Sequence, residues 1–294
     1  MTTVLLAGAS GVFGRHISTL LTAQGYRVLG LGRGADNAVR ADLNDREQLL
    51  HAVGGLHADV VVHAATALAK PPMRNKDMTG TDVLRTTGMH HLVEAAAEVG
   101  ASKFIGENMV FGYGYGEHGA TPLTEADAFG TAQPDPKLEA HVGAMREKDQ
   151  LSRELGVSLR FGLFYGPGGT DALLPLLRRR MMPAPDSGGR VLPWINLVDA
   201  ASAVLAAIEH GRTGEAYNIA DDLPMSFGEQ FIATAEAFGL PKPMRVPRWM
   251  MRPMDLLYAM LGTDLRVDSA KAKAELGWAP AYPTAAEGLK AMAR

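Results

Sequence analysis

Three glycines spaced by three, in Gly8-Ala9-Ser10-Gly11-Val12-Phe13-Gly14, stand between the apolar run Thr3 to Ala7 and the amphipathic stretch Val12 to Gln24. Strand, glycine loop and helix in that order let a backbone cradle a pyrophosphate. Gly8 permits the tight turn, Gly11 lets the main chain approach the phosphates, and Gly14 lets the helix lie close on the strand. Ser10, Val12 and Phe13 belong to the same loop, and the helix start adds free N–H groups and a positive dipole end. The second strand, Arg27 to Gly32, ends at Arg33, where an NAD site ordinarily carries an acidic residue for the ribose 2′-hydroxyl. A guanidinium there suits a 2′-phosphate, with which it can pair bidentately. The expected cofactor is therefore NADP. NAD stays open because Asp36 lies close by, and Arg33 also reads as a solvated loop cation. In Ala41-Asp42-Leu43, Asp42 could reach the adenine amino group. Ala64, Ala65 and Thr66 close the third strand, where small residues leave room for a cofactor.

Four side chains are candidates for proton transfer or substrate contact. Glu107 and Asn108 lie in the otherwise apolar run Lys103 to Phe111. A carboxylate buried there is costly unless paired or used, so Glu107 reads either as an acid or base or as a structural partner of backbone or an arginine. Asn108 can hydrogen-bond a substrate oxygen but cannot transfer a proton at neutral pH. His141, in the helical stretch Pro136 to Leu155, carries the side chain best suited to acid–base work near neutrality, or stands as a polar helix-surface histidine. Tyr113 lies in Phe111-Gly112-Tyr113-Gly114-Tyr115-Gly116 and offers a phenol, or an aromatic wall at the site's mouth. The histidines show no paired spacing with carboxylates, so no metal is expected.

The elements that must position these residues follow from periodicity. Strands are expected at Thr3 to Ala7, Arg27 to Gly32, Asp59 to His63, Lys103 to Phe111 and Val157 to Tyr165. Helices alternate with them at Val12 to Gln24, Thr81 to Glu98 and Pro136 to Leu155, the last capped by Asp135, and a further helix follows the cap residue Asp45. This is the rhythm of an α/β, Rossmann-type doubly wound parallel sheet. We expect it to occupy 1–165, completed by about 191–222. After Tyr165 the pattern is less regular, with helices at Leu173 to Met182, Leu197 to Glu209 and Phe227 to Phe238 and a strand at Glu215 to Ala220. Residues 166–190 and 223–294 are expected to form a small mixed C-terminal substrate lobe, in which Met250, Met251, Met254 and Met260 supply adaptable apolar packing.

A chain of 294 residues suits one large α/β domain with such a lobe. A net charge of −3 gives no reason to expect nucleic acid or an anionic membrane, and Arg178-Arg179-Arg180 reads as a solvated helix end. The absence of cysteine excludes disulfides, thiolate nucleophiles and cysteine metal sites. The longest apolar stretch, Val60 to Ala69, is too short for a bilayer, and the N-terminus lacks a basic leader region, so the expected location is the cytoplasm.

The chain resembles the extended short-chain dehydrogenase/reductases of the NAD-dependent epimerase/dehydratase type. The matching segments are the glycine loop, Ala41-Asp42-Leu43, His63-Ala64-Ala65, Leu159-Arg160-Phe161-Gly162-Leu163-Phe164-Tyr165-Gly166-Pro167, Trp194-Ile195-Asn196-Leu197-Val198-Asp199, Tyr217-Asn218-Ile219-Ala220 and Glu275-Leu276-Gly277-Trp278. The resemblance implies that Phe161, Leu163 and Phe164 pass near the nicotinamide and that a small polyfunctional substrate binds between the lobes. It also implies a Tyr-x-x-x-Lys pair on a helix and a Ser or Thr on the preceding strand. Here His141 stands at the tyrosine position, Met145 at the lysine position, and Glu107 or Asn108 at the serine position. Related proteins form homodimers through the helices that correspond to Thr81–Glu98 and Pro136–Leu155, and Ala95, Ala96, Ala97, Ala140 and Ala144 would allow close packing there. Three functions follow in order: an NADP-dependent oxidoreductase or epimerase-like enzyme; a non-redox cyclase, isomerase or lyase using Glu107 and His141; and a non-enzymatic NADP sensor.

Overall fold

The computed structural model describes residues 1–294. The first half alternates strand and helix: β1 (Thr3–Ala7), α1 (Val12–Ala23), β2 (Arg27–Gly32), β3 (Val39–Arg40), α2 (Arg46–Val53), β4 (Val60–His63), α3 (Thr79–Arg85), α4 (Thr87–Glu98), β5 (Lys103–Met109), α5 (Pro136–Leu155) and β6 (Gly156–Phe161). The second half adds β7 (Leu163–Tyr165), α6 (Leu174–Arg178), β8 (Ala184–Asp186), β9 (Trp194–Asn196), α7 (Leu197–His210), β10 (Ala216–Ile219), α8 (Phe227–Ala237), β11 (Arg245–Pro247), α9 (Asp255–Met260), α10 (Ala270–Leu276) and α11 (Ala285–Met292).

Seven strands form one parallel sheet in the order β10-β6-β5-β4-β1-β2-β3. The chain winds outward from β1 to β3 and then returns to β4 on the other side of β1. At such a reversal a crevice opens outside the carboxyl ends of the strands. Ala7 and His63 are paired at its edge.

Alternation along β1 covers both faces. Val4 and Leu6 share a core with Ile17 and Leu21 of α1 and Ala200 and Val204 of α7. Leu5 and Ala7 share the opposite core with Leu49 of α2 and Leu92 and Ala95 of α4. Burial on both sides is why a parallel strand reads as a continuous apolar run. A third core joins Met78, Val110, Phe111, Val142 and Met145 to Leu192, Leu256, Met260 and Leu265, and so fastens the C-terminal segment to the site end of α5. Caps fix the helix starts: Asp135 accepts from Lys137 N at 2.8 Å, Asp45 from Gln48 N at 3.0 Å and Asn196 from Val198 N at 2.9 Å. No helix is long and apolar enough to cross a membrane.

Several expected elements are cut by local chemistry. The strand Val157 to Tyr165 is two strands, because the chain leaves the large sheet at Gly162. There the Gly162 N–H donates to Ile219 O and the Leu163 N–H to Pro193 O. A Cβ at 162 would lie 2.8 Å from Pro193 O, so the crossing needs glycine. β7 then pairs with β9. The helix Thr81 to Glu98 breaks at Thr86, whose hydroxyl donates to Asp82 O at 3.0 Å. The strand Lys103 to Phe111 stops at Met109, whose N–H is taken by the Asn108 side chain, and passes into a 3-10 turn, Val110–Tyr113. Leu173 to Met182 shrinks to α6, and Arg180 adopts φ +57° just beyond it. The small residues expected to serve a dimer are also divided: Ala95, Ala96 and Ala144 are buried in the chain's own core, whereas Ala97 and Ala140 are exposed.

Candidate active site

The glycine loop is shaped for a close ligand. Gly8 has φ +89°, and a Cβ there would meet Ala64 O and Ala65 N at 2.7 Å. A Cβ at Gly14 would lie 2.0 Å from Gly8 O. Gly11 caps α1 with no side-chain bond and no acidic residue in the first turn, so the first-turn N–H groups are left for an anion. Arg15, which sequence reasoning passed over, donates to Ser10 O at 2.5 Å and brings a guanidinium to the loop. These features fit a dinucleotide pyrophosphate.

Around this cradle the other expected contacts are divided. Ala64 and Ala65 are buried beside the loop, while Thr66 is exposed. The Arg33 side chain is 73% exposed and meets Asp42 only at 3.8 Å. The Asp42 carboxylate accepts from Asn44 N at 3.0 Å, so part of it serves its own turn. The Leu43 side chain packs into the core with residues of α2 and α4. Phe13, Phe161 and Phe164 form an aromatic trio with centroids 4.9 to 5.4 Å apart, and Leu163 is half-buried next to Phe164.

One face of α5 carries the second part of the site. His141, Met145, Lys148 and Ser152 recur at helical spacing and are all buried. Lys148 Nζ donates to Glu107 Oε2 at 3.2 Å and stands 3.3 Å from His63 Nδ1. His63 Nε2 is 3.2 Å from Leu84 O, so the ring donates there and its Nδ1 lone pair faces the lysine. Burial first, then the Lys148 charge, holds the His63 pKa well below its usual value. Burial likewise pushes Lys148 down to about 8, opposed by Glu107. Asn108 Nδ2 donates to Met145 O at 2.8 Å and its Oδ1 accepts from Met109, so both ends are engaged. His141 Nδ1 is 2.5 Å from Asp82 Oδ2, and its Nε2 is 3.0 Å from Asn75 Oδ1. Met145 fills the lysine position with apolar volume in the third core.

Glu107, Asn108 and His141 are thus gathered along α5, and Tyr113 is not among them. Tyr113 is 3% exposed and its hydroxyl accepts from Arg160 Nη1 at 2.9 Å while facing Asn218 Oδ1 and Thr124 O. Arg160 is itself held by Asp149 through two contacts at 2.9 and 2.8 Å. Burial raises the Tyr113 pKa, and the Arg160 charge opposes it. This corrects the expectation of a phenol at the mouth of the site: the ring is a buried tie between β5, β6 and β10. Lys148 and Asp82, the partners that decide what Glu107 and His141 can do, were missed. Lys148 was accessible to pattern, since it follows His141 by two helical turns.

A cavity of about 610 Å³ opens against this face of α5. His141 and Ala140 line one side, Arg74 to Lys76 another, and Arg252, Pro253 and Asp255 close it from the C-terminal segment.

A parallel sheet wound in this order, with a glycine cradle at the reversal between β1 and β4, defines a Rossmann dinucleotide-binding fold. The NAD dependent epimerase/dehydratase family model matches residues 4–220, and the chain belongs to that family. It is 34% identical to a 3-diazoavenalumate denitrifying reductase of a Streptomyces species, over 97% of this chain and 98% of that protein. Among solved structures it is similar to human epimerase family protein SDR39U1 with NADPH, at 20% identity, TM-score 0.82 and 99% coverage of both chains. It is also similar to the UDP-glucose 4-epimerase of Thermotoga maritima with UDP-glucose, at 21% identity and TM-score 0.78, covering 99% of this chain and 97% of that one.

Proposed function

We propose that the chain is an NADP(H)-dependent reductase of a small organic substrate whose reduction needs no proton from the protein, and that a diazo-bearing carboxylate is that substrate class. The observation that carries this reading is the state of the family's proton-relay positions. Both nitrogens of His141 are engaged, Met145 has no proton to give, and Glu107 is tied to Lys148. A carbonyl reduction needs a proton on oxygen. An arenediazonium carbon that accepts hydride does not: the hydride pair forms the C–H bond, the C–N pair leaves with dinitrogen, and charge balances. The relative of 34% identity is named for a denitrifying reduction of a diazo compound, which supports the same class.

Bound at the glycine cradle, the dinucleotide would supply the hydride. The chain's own residues bind and shield. Gly8, Gly11, Gly14 and the first turn of α1 hold the pyrophosphate, with Ser10 and Arg15 beside it. Arg33, largely in solvent and only loosely paired with Asp42 at 3.8 Å, takes the 2′-phosphate. Phe13, Phe161 and Phe164 exclude water from the adjoining wall.

The test is to mix the protein with NADPH and a carboxyarene diazonium salt, following nicotinamide absorbance and dinitrogen release. One dinucleotide oxidised per dinitrogen released is expected, with deuterium from labelled NADPH at the former C–N carbon. Consumption with ketones and none with diazo substrates would overturn the reading. A second reading is favoured by the 2.5 Å contact of His141 with Asp82 at the cavity, since a carboxylate-oriented imidazole serves as a general acid or base once its Nε2 exchanges Asn75 for a substrate. It makes the protein a cyclase, isomerase or lyase, and product formation after complete removal of dinucleotide would establish it. We also propose a homodimer through the outer faces of α3, α4 and α5, where Val83 is 40% exposed; sedimentation as a monomer at micromolar concentration would refute it.

A further inference from the structure

We propose that the cavity between α5 and the 252–255 turn is an oxyanion pocket that receives the substrate's carboxylate, held by Arg74, Lys76, Lys137 and Arg252. The choice of carboxylate as the anion rests on the reductase reading above; the positive character of the pocket does not.

Four cations converge here from separate parts of the chain. Arg74 and Lys76 come from the segment before α3, Lys137 from the first turn of α5, and Arg252 from the turn before α9. A single carboxylate, Asp255, shares the cavity. It stands 3.6 Å from Lys137 Nζ, and its Oδ1 already accepts the Asn75 N–H at 2.9 Å. Arg74, Lys76 and Arg252 have no ion-pair partner. Some surface cations elsewhere are paired, Arg46 with Glu94, Arg190 with Glu117, Arg212 with Glu275 and Lys273 with Asp222. Others, such as Arg27 and Arg245, are not; what distinguishes the four here is that they share one cavity. The four exposed side chains share one concave surface, so an anion there meets their combined field. Two guanidiniums among them favour a planar, forked acceptor such as a carboxylate.

The pocket also has a direction. Its floor is His141, the residue at the position where the resemblance places the reacting phenol, and Asn75 links that floor to Asp255. The 3-10 turn Arg248–Met251, which precedes Arg252 in the chain, leaves Trp249 62% and Met250 45% exposed. An anion seated on the four cations would lie against α5, with the exposed Trp249 and Met250 close by in the chain. That is the outline of an aromatic or unsaturated carboxylate. A nucleotide diphosphate shares the oxyanion chemistry and is separated from it by the test.

The experiment titrates the NADP⁺-saturated protein with 4-hydroxycinnamate, with its neutral amide, with UDP and with inorganic phosphate, by calorimetry and tryptophan fluorescence. The acid is expected to bind at least about tenfold more tightly than the amide. In an R74Q/R252Q variant that preference should fall below about threefold, with NADPH affinity held within about twofold as the check on folding. K137Q, a single change on another element, should weaken the acid in the same direction. Equal binding of acid and amide, an undiminished preference in both variants, or tighter binding of UDP or phosphate than of the acid would overturn the proposal. Selective binding of the acid without NADPH oxidation on any diazo substrate refutes the reductase reading alone. Diazo turnover with acid and amide bound alike refutes the pocket alone.

Discussion

Lys148 Nζ lies 3.2 Å from Glu107 Oε2, with the lysine fully buried and the glutamate side chain 4% exposed. Two opposite charges withdrawn from water together compensate each other, and removal of either leaves the other stranded. The pair joins α5 to the end of β5, beside the site, and it takes Glu107 out of the set of free acids.

Glu107→Gln or Lys148→Met should each cost about 3–5 kcal/mol in urea unfolding at neutral pH. The double replacement Glu107→Leu with Lys148→Met should recover most of that loss, giving a coupling energy of more than about 1 kcal/mol in the cycle. Additive losses would show that the two side chains act independently.

Asp221, two residues beyond β10, is buried beside Tyr165, and burial pushes its pKa from 3.8 to about 8. The folded state therefore keeps the proton through a range in which the unfolded chain has lost it. Its contribution to stability is full below the unfolded pKa and is lost as pH rises through about 8. Between pH 5 and pH 8 the wild type should lose roughly 3–4 kcal/mol relative to Asp221→Asn. Urea midpoints at the two pH values measure this, and parallel pH profiles for the two proteins would disprove it.

Much of this architecture could be read from local pattern, because β1, β2 and α5 each depend on neighbours in the chain. The alternating cores set the first, and Asp135 and Pro136 set the start of the last. The break at Thr86 and the sheet exit at Gly162 were not readable, since each turns on a competing hydrogen bond or a backbone crossing from far away. The cradle was legible for the same reason that its glycines are local. The roles of Glu107 and His141 were not. Their partners Lys148 and Asp82 lie 41 and 59 residues away in sequence, and only the packing of α5 brings them together.

Arg33 sits at the tip of β2 with its guanidinium in solvent. Arg33→Ala should weaken NADPH by about 10- to 100-fold, the span of a charge-assisted pair of about 1.5–3 kcal/mol, and leave NADH within about threefold. Fluorescence titration of both reduced cofactors checks this. An equal loss for the two would remove Arg33 from 2′-phosphate recognition.

Met145 stands where the resemblance places a lysine, yet it is 1% exposed and packs with Val110, Phe111, Val142, Leu256 and Met260. Restoring the family residue is therefore not a restoration of function. Met145→Lys puts an ammonium among apolar side chains with no carboxylate prepared to meet it, because Glu107 is already held by Lys148. The variant should lose more than about 3 kcal/mol of stability, whereas Met145→Leu, which keeps the volume, should lose less than about 1.5 kcal/mol. His141→Tyr combined with Met145→Lys should gain no carbonyl reductase activity, since the side chain at 145 is enclosed by the apolar residues of the third core rather than open to the cavity. Thermal unfolding and NADPH consumption with a ketone panel measure the two effects. A stable, ketone-reducing double variant would show that the relay positions lost their side chains without their surroundings having changed.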